Sequence, residues 1–159
     1  MQLRNFHQSD SDRVNQIAVA AFDELKAHYD DWAAMSASLG RMSALADQYE
    51  IIVAEDRGQL LGAVAYVGPD KEKAPYFDPS WPIVRMLVVD PVCRGVGAGR
   101  ALTEACIDRA ARDKSPVIAL HTSPIMTVAL PMYLRMGFEL VREAPPIRGV
   151  PYSVYLKVL

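Results

Sequence analysis

One stretch constrains the fold of this 159-residue chain more than any other. It reads Val88-Val89-Asp90-Pro91-Val92-Cys93-Arg94-Gly95-Val96-Gly97-Ala98-Gly99-Arg100-Ala101-Leu102. An apolar run ends at Asp-Pro, a glycine-rich turn follows, and a helix-forming segment begins. Glycines at alternate positions let the backbone approach a ligand closely, with several N–H groups pointing the same way. The helix behind the turn adds its unpaired first-turn N–H groups and the positive end of its dipole. A strand, turn and helix of this kind cradle phosphate. Two nucleotide signatures fail on it. A Walker loop needs Gly-Lys-Ser/Thr, and Gly99 is followed by Arg100-Ala101. A Rossmann fingerprint needs a third glycine where Arg100 or Leu102 stands.

Bulk properties narrow the class. The length suits one domain over residues 1–159, and 51% hydrophobic with 23% charged residues is an ordinary globular balance. A net charge of −2 argues against a general nucleic-acid or anionic-membrane partner. Two cysteines, Cys93 and Cys106, supply neither a disulfide framework nor a metal cluster. Cys106 reads as a small core residue on a helix, and Cys93 as a thiol beside the loop. No signal peptide or bilayer-length apolar run is present, so the expected location is the cytoplasm.

Periodicity orders the rest. Gln2–Phe6 reads as a strand. Val14, Ile17, Ala18, Ala21, Phe22 and Leu25 form a helical stripe, and Trp32, Met35, Leu39 and Met42 a second one behind the capping residues Asp30 and Asp31. Ile51–Glu55 and Leu60–Val67 read as a hairpin around Asp56-Arg57-Gly58. Ile83–Val89 is a nearly continuous apolar strand, as a central strand should be. A helix over 98–112 precedes a strand at Pro116–Thr122 and a short helix around Met126–Arg135. Phe138–Val141 and Tyr152–Val158 are the last strands, with Ala144-Pro145-Pro146 between them. This order defines an α+β (α/β-like) class with a mixed sheet.

Two motifs carry a family resemblance. Arg94, Gly97 and Gly99 match the Arg/Gln-x-x-Gly-x-Gly/Ala pyrophosphate loop of the GCN5-related N-acetyltransferases. About 35–40 residues on, a span that fits a βαβ unit plus a helix, Ala129-Leu130-Pro131-Met132-Tyr133-Leu134-Arg135-Met136-Gly137-Phe138 is similar to that family's A-x-x-x-Y-x-x-x-G-F. The resemblance implies a single acetyltransferase domain. Its mixed, mostly antiparallel sheet would be flanked by about four helices, with the fourth and fifth strands splayed apart as a cofactor slot. It implies acetyl-CoA as co-substrate, no metal, an amine acceptor, and either a monomer or a homodimer. Arg94, Gly95, Val96, Gly97, Ala98, Gly99 and Arg100 would take the pyrophosphate. Leu87, Val88 and Val89 would pair by main chain with the peptide-like pantetheine arm.

Tyr133 would act as general acid toward the departing thiolate. The competing role for it is an amphipathic anchor in the core. His121, at the end of the strand before the Tyr133 helix, has a reference pKa suited to a general base. A water chain, Glu55 and Asp78 are alternatives. Two departures from the family stand out. Met126 occupies a position where the family often has Asn, and Pro131 falls inside the short helix, where it either kinks the helix or marks its start. Phe22, Tyr29, Trp32, Tyr76, Phe77 and Trp81 are candidate walls of the acceptor pocket, with core packing the competing role for Phe22 and Trp32. The function implied is transfer of an acetyl group to a primary amine, with three alternatives: a longer acyl-CoA, a protein or peptide acceptor, or a non-catalytic acyl-CoA-binding regulatory domain.

Overall fold

The apolar periods resolve into seven strands and four α-helices in a computed structural model that describes residues 1–159. In chain order these are β1 (Gln2–Asn5), α1 (Ser11–Asp23), α2 (Trp32–Leu39), β2 (Glu50–Asp56), β3 (Gln59–Val67), β4 (Ile83–Val89), α3 (Ala98–Arg112), β5 (Val117–Thr122), α4 (Ala129–Arg135), β6 (Glu139–Ile147) and β7 (Val150–Val158). One sheet holds all the strands in the order β1-β2-β3-β4-β5-β7-β6. Every neighbouring pair is antiparallel except β4–β5, the two strands joined through the α3 crossover.

The β4–β5 pair is also the weakest seam. It has one registered partnership, Ile83↔Ala119, whereas β5 and β7 stay in register from Val117 to Thr122. Beyond Ile83 the two strands part, and β4 carries on to Val89 beside β3 alone. The expected splay is therefore present, and it opens the sheet where the glycine loop begins.

Alternation along the strands builds two main cores and a smaller third one of Val67, Phe77, Ile83, Ala119 and Val154. Val64, Tyr66, Ile118, Leu120 and Tyr155 pack on one face beneath Leu102, Cys106 and Ala110 of α3, together with Tyr133 and Phe138. Ala63, Ala65, Val88 and Tyr152 pack on the other face beneath Val14, Ile17 and Ala18 of α1 and Met35 and Leu39 of α2. Cys106 is fully buried, as its helical position predicts. Asp31 accepts the Ala34 N–H at 3.2 Å and caps α2, which ends at Leu39; Met42 belongs to the following tight turn. No helix is long and apolar enough to cross a membrane.

Two expectations change. The prolines at 145 and 146 do not separate the last two strands, because β6 runs through them to Ile147 and the turn is Arg148-Gly149. An edge strand with one neighbour can lose outward N–H donors without breaking its ladder. Of the two outcomes open to Pro131, the structure has the second. α4 starts at Ala129, so Pro131 lies in the first turn, where its missing N–H has no intrahelical acceptor.

Candidate active site

β4 hands over to the loop through Asp90. Its carboxylate accepts the Val92 N–H at 3.1 Å and pairs with Arg13 of α1, tying the strand exit to the first helix. Gly95 and Gly97 then adopt φ of 90° and 83°, a region that disfavours any side chain. A Cβ at either position would meet no protein atom within 4 Å. From Gly95 to Arg100 no backbone N–H has a protein acceptor; the first bonded one is that of Ala101, to the Gly97 carbonyl. A continuous run of free donors thus leads into α3, in open space and at the positive end of its dipole.

These donors border a groove of about 460 Å³ between β4, the loop, the end of α1 and the segment that joins β5 to α4. Leu87, Val89, Arg94, Gly95, Gly97, Ala98, Gly99 and Arg100 line it. Val88 does not. Strand alternation turns it to the other face, where it is buried beneath α1. Val96 is exposed and lies outside the lining. Phe22 and Leu25 form the wall across from the loop, and Met126 and Met132 the wall beside α4. The expected core role of Phe22 is thus only part of its environment. Arg94, Arg100 and Arg135 gather positive charge at the groove, countered there by Glu24. Arg94 bonds both Glu24 oxygens, at 3.0 and 2.8 Å, bridging the loop to the end of α1. Cys93 also lines the groove.

Tyr133 lies one residue beyond Met132 but is itself buried, its ring edge-on to Phe138 at 5.7 Å. Burial pushes its phenol above the ordinary value, so it is protonated at neutral pH. Its hydroxyl has no protein hydrogen-bond partner, and no fully buried polar side-chain atom goes unpartnered, so this hydroxyl reaches accessible space. His121 sits on β5 outside the groove lining. Its Nδ1 is 2.8 Å from the Tyr76 hydroxyl, and its ring stacks on Tyr76 at 5.5 Å. Burial, helped by the Arg85 charge, lowers its pKa to about 4, so the imidazole is neutral at pH 7. Glu55 is paired with Arg4 at 3.2 Å, and Asp78 accepts from Ser80 at 2.7 Å; neither lines the groove.

Sequence reasoning missed three features. The Glu24 bridge to Arg94 joins residues far apart in the chain and had no local signal. The hydroxyls of Tyr29 and Tyr152 lie 2.5 Å apart, joining the α1–α2 connection to β7. Arg85 stands exposed on the central strand β4, and here the signal was present: one charge inside an apolar run. Of the expected acceptor walls, Tyr29 is buried against Phe22 with ring centroids 6.3 Å apart, and Tyr76 and Phe77 pack around His121. Trp32 is half-buried against the α1–α2 core, and Trp81 lies under Arg142 of β6 at 5.4 Å.

Comparison with known proteins places this geometry. The family model described as "Acetyltransferase (GNAT) family" matches residues 11–138. The mycothiol acetyltransferase of Cellulomonas flavigena is 36% identical over 112 residues, which are 66% of this chain and 32% of that protein. The chain therefore spans about a third of the length of this curated relative. A GCN5-related N-acetyltransferase from Rhodopseudomonas palustris superposes with a TM-score of 0.78 at 20% identity, covering 99% of this chain and 95% of that one. The yncA acetyltransferase from Salmonella typhimurium, solved with its cofactor acetyl-CoA, gives 0.70 at 18% identity over 99% of this chain and 93% of that one. At these identities the solved structures share the fold.

Proposed function

The chain belongs to the GNAT acetyltransferase family, and on that premise we propose that residues 1–159 form one acetyltransferase domain that moves the acetyl group of acetyl-CoA to the primary amine of a small molecule. The observation that carries this reading is the run of free N–H groups from Gly95 to Arg100 beside a groove that runs along the end of β4. Those donors, with Arg94 and Arg100, suit a pyrophosphate. The open edge of β4 at Leu87 and Val89 suits an amide-bearing arm. Its length inside the sheet leads a thioester toward Phe22, Leu25 and Met126. The small-molecule class rests on the apolar residues Phe22, Leu25, Met126 and Met132 that line this groove and not on the relative's name.

In the reaction the amine nitrogen attacks the thioester carbonyl, a C–N bond forms and the C–S bond breaks. The amine gives up a proton and the CoA sulfur gains one. Tyr133 is the hydrogen-bond donor to that sulfur in this reading. A phenol held above its ordinary pKa is a weak acid toward a thiol of pKa near 8.5. Its contribution is therefore a hydrogen bond that strengthens as charge collects on sulfur, and the departing thiolate takes its proton from solvent. His121, neutral at pH 7, is the acceptor for the amine proton, directly or through water.

One observation favours a second reading, a non-catalytic acyl-CoA-binding domain: neither Tyr133 nor His121 lines the groove. A single assay separates the two. Acetyl-CoA is incubated with a panel of amines, amino acids and peptides while free thiol is detected, and CoA, ATP and NAD are compared as thermal stabilisers. Thiol release that depends on an amine, with stabilisation by CoA alone, is the expected result. Stabilisation by CoA without thiol release from any acceptor selects the binding domain. Stabilisation by ATP or NAD instead of CoA overturns both.

A further inference from the structure

Arg85 is an exposed cation on a central strand, in a face of the sheet otherwise built of apolar and aromatic groups. Register fixes where it points. β4 and β5 are parallel with Ile83 opposite Ala119, so Arg85 and His121, each two residues on, share one face where the strands begin to part. On β7 Val154 is opposite His121, which puts Tyr152 on that face too. On β3 the partner of Arg85 is the small Ala65. Met86 has φ of 56°, and the ladder to β3 shifts register across it. This irregularity brings Met86 to the same face as Arg85 and sends Leu87 into the groove.

The guanidinium forms no ion pair, unlike Arg4, Arg13, Arg94, Arg109 and Arg112, which all hold carboxylates. It stands 5.6 Å from the Tyr49 ring centroid, and its charge is felt at both His121 and Tyr76. An aromatic wall connects this spot to the groove. Tyr76 stacks on His121, His121 lies 5.1 Å from Tyr152, the Tyr152 hydroxyl meets that of Tyr29, and Tyr29 packs on the groove residue Phe22. An exposed cation without a counter-ion, on the same sheet face as His121 and Tyr152 where β4 and β5 begin to part, is a site for an anion.

We propose that the amine acceptor carries a carboxylate and that Arg85 binds it. This rests on the acetyl-transfer reading given above. The irregularity at Met86 turns Leu87 to the groove and leaves Arg85 on the face of His121. A carboxylate held at the guanidinium therefore directs the amine of a small amino acid toward His121, the proton acceptor of the proposed reaction. The same positive charge repels acceptors whose other groups are ammonium ions, so polyamines are disfavoured.

The test compares amino acids with their own carboxamides, plus spermidine, with CoA saturating the protein for binding and acetyl-CoA as donor for turnover. Binding is measured by calorimetry and turnover by thiol release, for the wild type and for Arg85→Met and Arg85→Lys. The wild type should prefer each acid over its amide by ~10- to 100-fold, the range of a charge-assisted bidentate contact. Arg85→Met should weaken acids by that factor and amides far less. Arg85→Lys, which keeps the charge and loses the fork, should fall between. Equal handling of acids and amides by the wild type overturns the proposal, as does an equal loss for both in Arg85→Met or a preference for spermidine. Arg85-dependent binding of acids without thiol release would uphold this site and overturn acetyl transfer. Thiol release indifferent to the carboxylate would do the reverse.

Discussion

Gly97 and Gly58 form a matched pair that separates backbone strain from ligand binding. Gly97 has φ of 83° in the loop before α3, and Gly58 has φ of 80° in the β2–β3 turn. A Cβ at either meets nothing within 4 Å, so alanine clashes with no protein atom at either site. What remains is the cost of placing an L residue in the left-handed region, about 1–2 kcal/mol. For a chain of this length each kcal/mol moves the melting temperature by roughly 2–4 °C. Gly97→Ala and Gly58→Ala should therefore each lower Tm by about 2–8 °C and unfold alike in urea. Their affinities for CoA should differ. The space beside Gly97 is flanked by the free N–H groups of residues 95–100, and a methyl group there stands where a pyrophosphate must approach. Gly97→Ala should weaken CoA binding by tenfold or more, about 1.4 kcal/mol, and Gly58→Ala should leave it unchanged. Calorimetric titration of both folded variants reads this directly. Undiminished CoA affinity in Gly97→Ala would refute the cradle and leave the loop a simple turn.

Three further outcomes follow from named contacts. Tyr133→Phe should keep its Tm close to wild type, because the lost hydroxyl has no protein partner, while the single-turnover rate of acetyl transfer falls ~100- to 10,000-fold; an unchanged rate removes Tyr133 from the mechanism. His121 is depressed from 6.5 to about 4 in the fold, so the unfolded chain takes its proton more readily. Its stabilising contribution is full above pH 6.5 and is lost as pH falls toward 4, roughly 3 kcal/mol at most; urea melts at pH 7 and 4.5 should show a larger acid loss for wild type than for His121→Gln, and equal losses would contradict the buried neutral imidazole. Gly149→Ala carries the same strain as Gly58→Ala, with φ of 82°, and its Cβ would also lie 2.4 Å from a carboxylate oxygen of Asp30; it should destabilise more than Gly58→Ala in the same denaturation assay, and an equal loss would mean that Asp30 yields freely.

The sequence by itself determined whatever depends on neighbours along the chain. Period and capping set the order of strands and helices, and Asp31 caps α2 where it was expected to. The Asp90-Pro91 exit and the glycines at 95 and 97 specified the loop, because only positive φ at those residues produces that turn. Together with the Tyr133 motif they also identified the family. Tertiary structure decided what depends on partners distant in sequence. Pro145 and Pro146 read as a break, but β6 is an edge strand and accommodates them. Leu87, Val88 and Val89 read as one main-chain edge, and pleat alternation decides that the Val88 side chain packs in the opposite core. Ile83–Val89 read as a nearly continuous apolar strand, and Arg85 within it drew no reading. Its lack of a carboxylate partner, and its place beside His121 at the opening of the sheet, came from the parallel register of β4 on β5. No local pattern encodes a parallel register, because the crossover that fixes it depends on how α3 packs back onto the sheet.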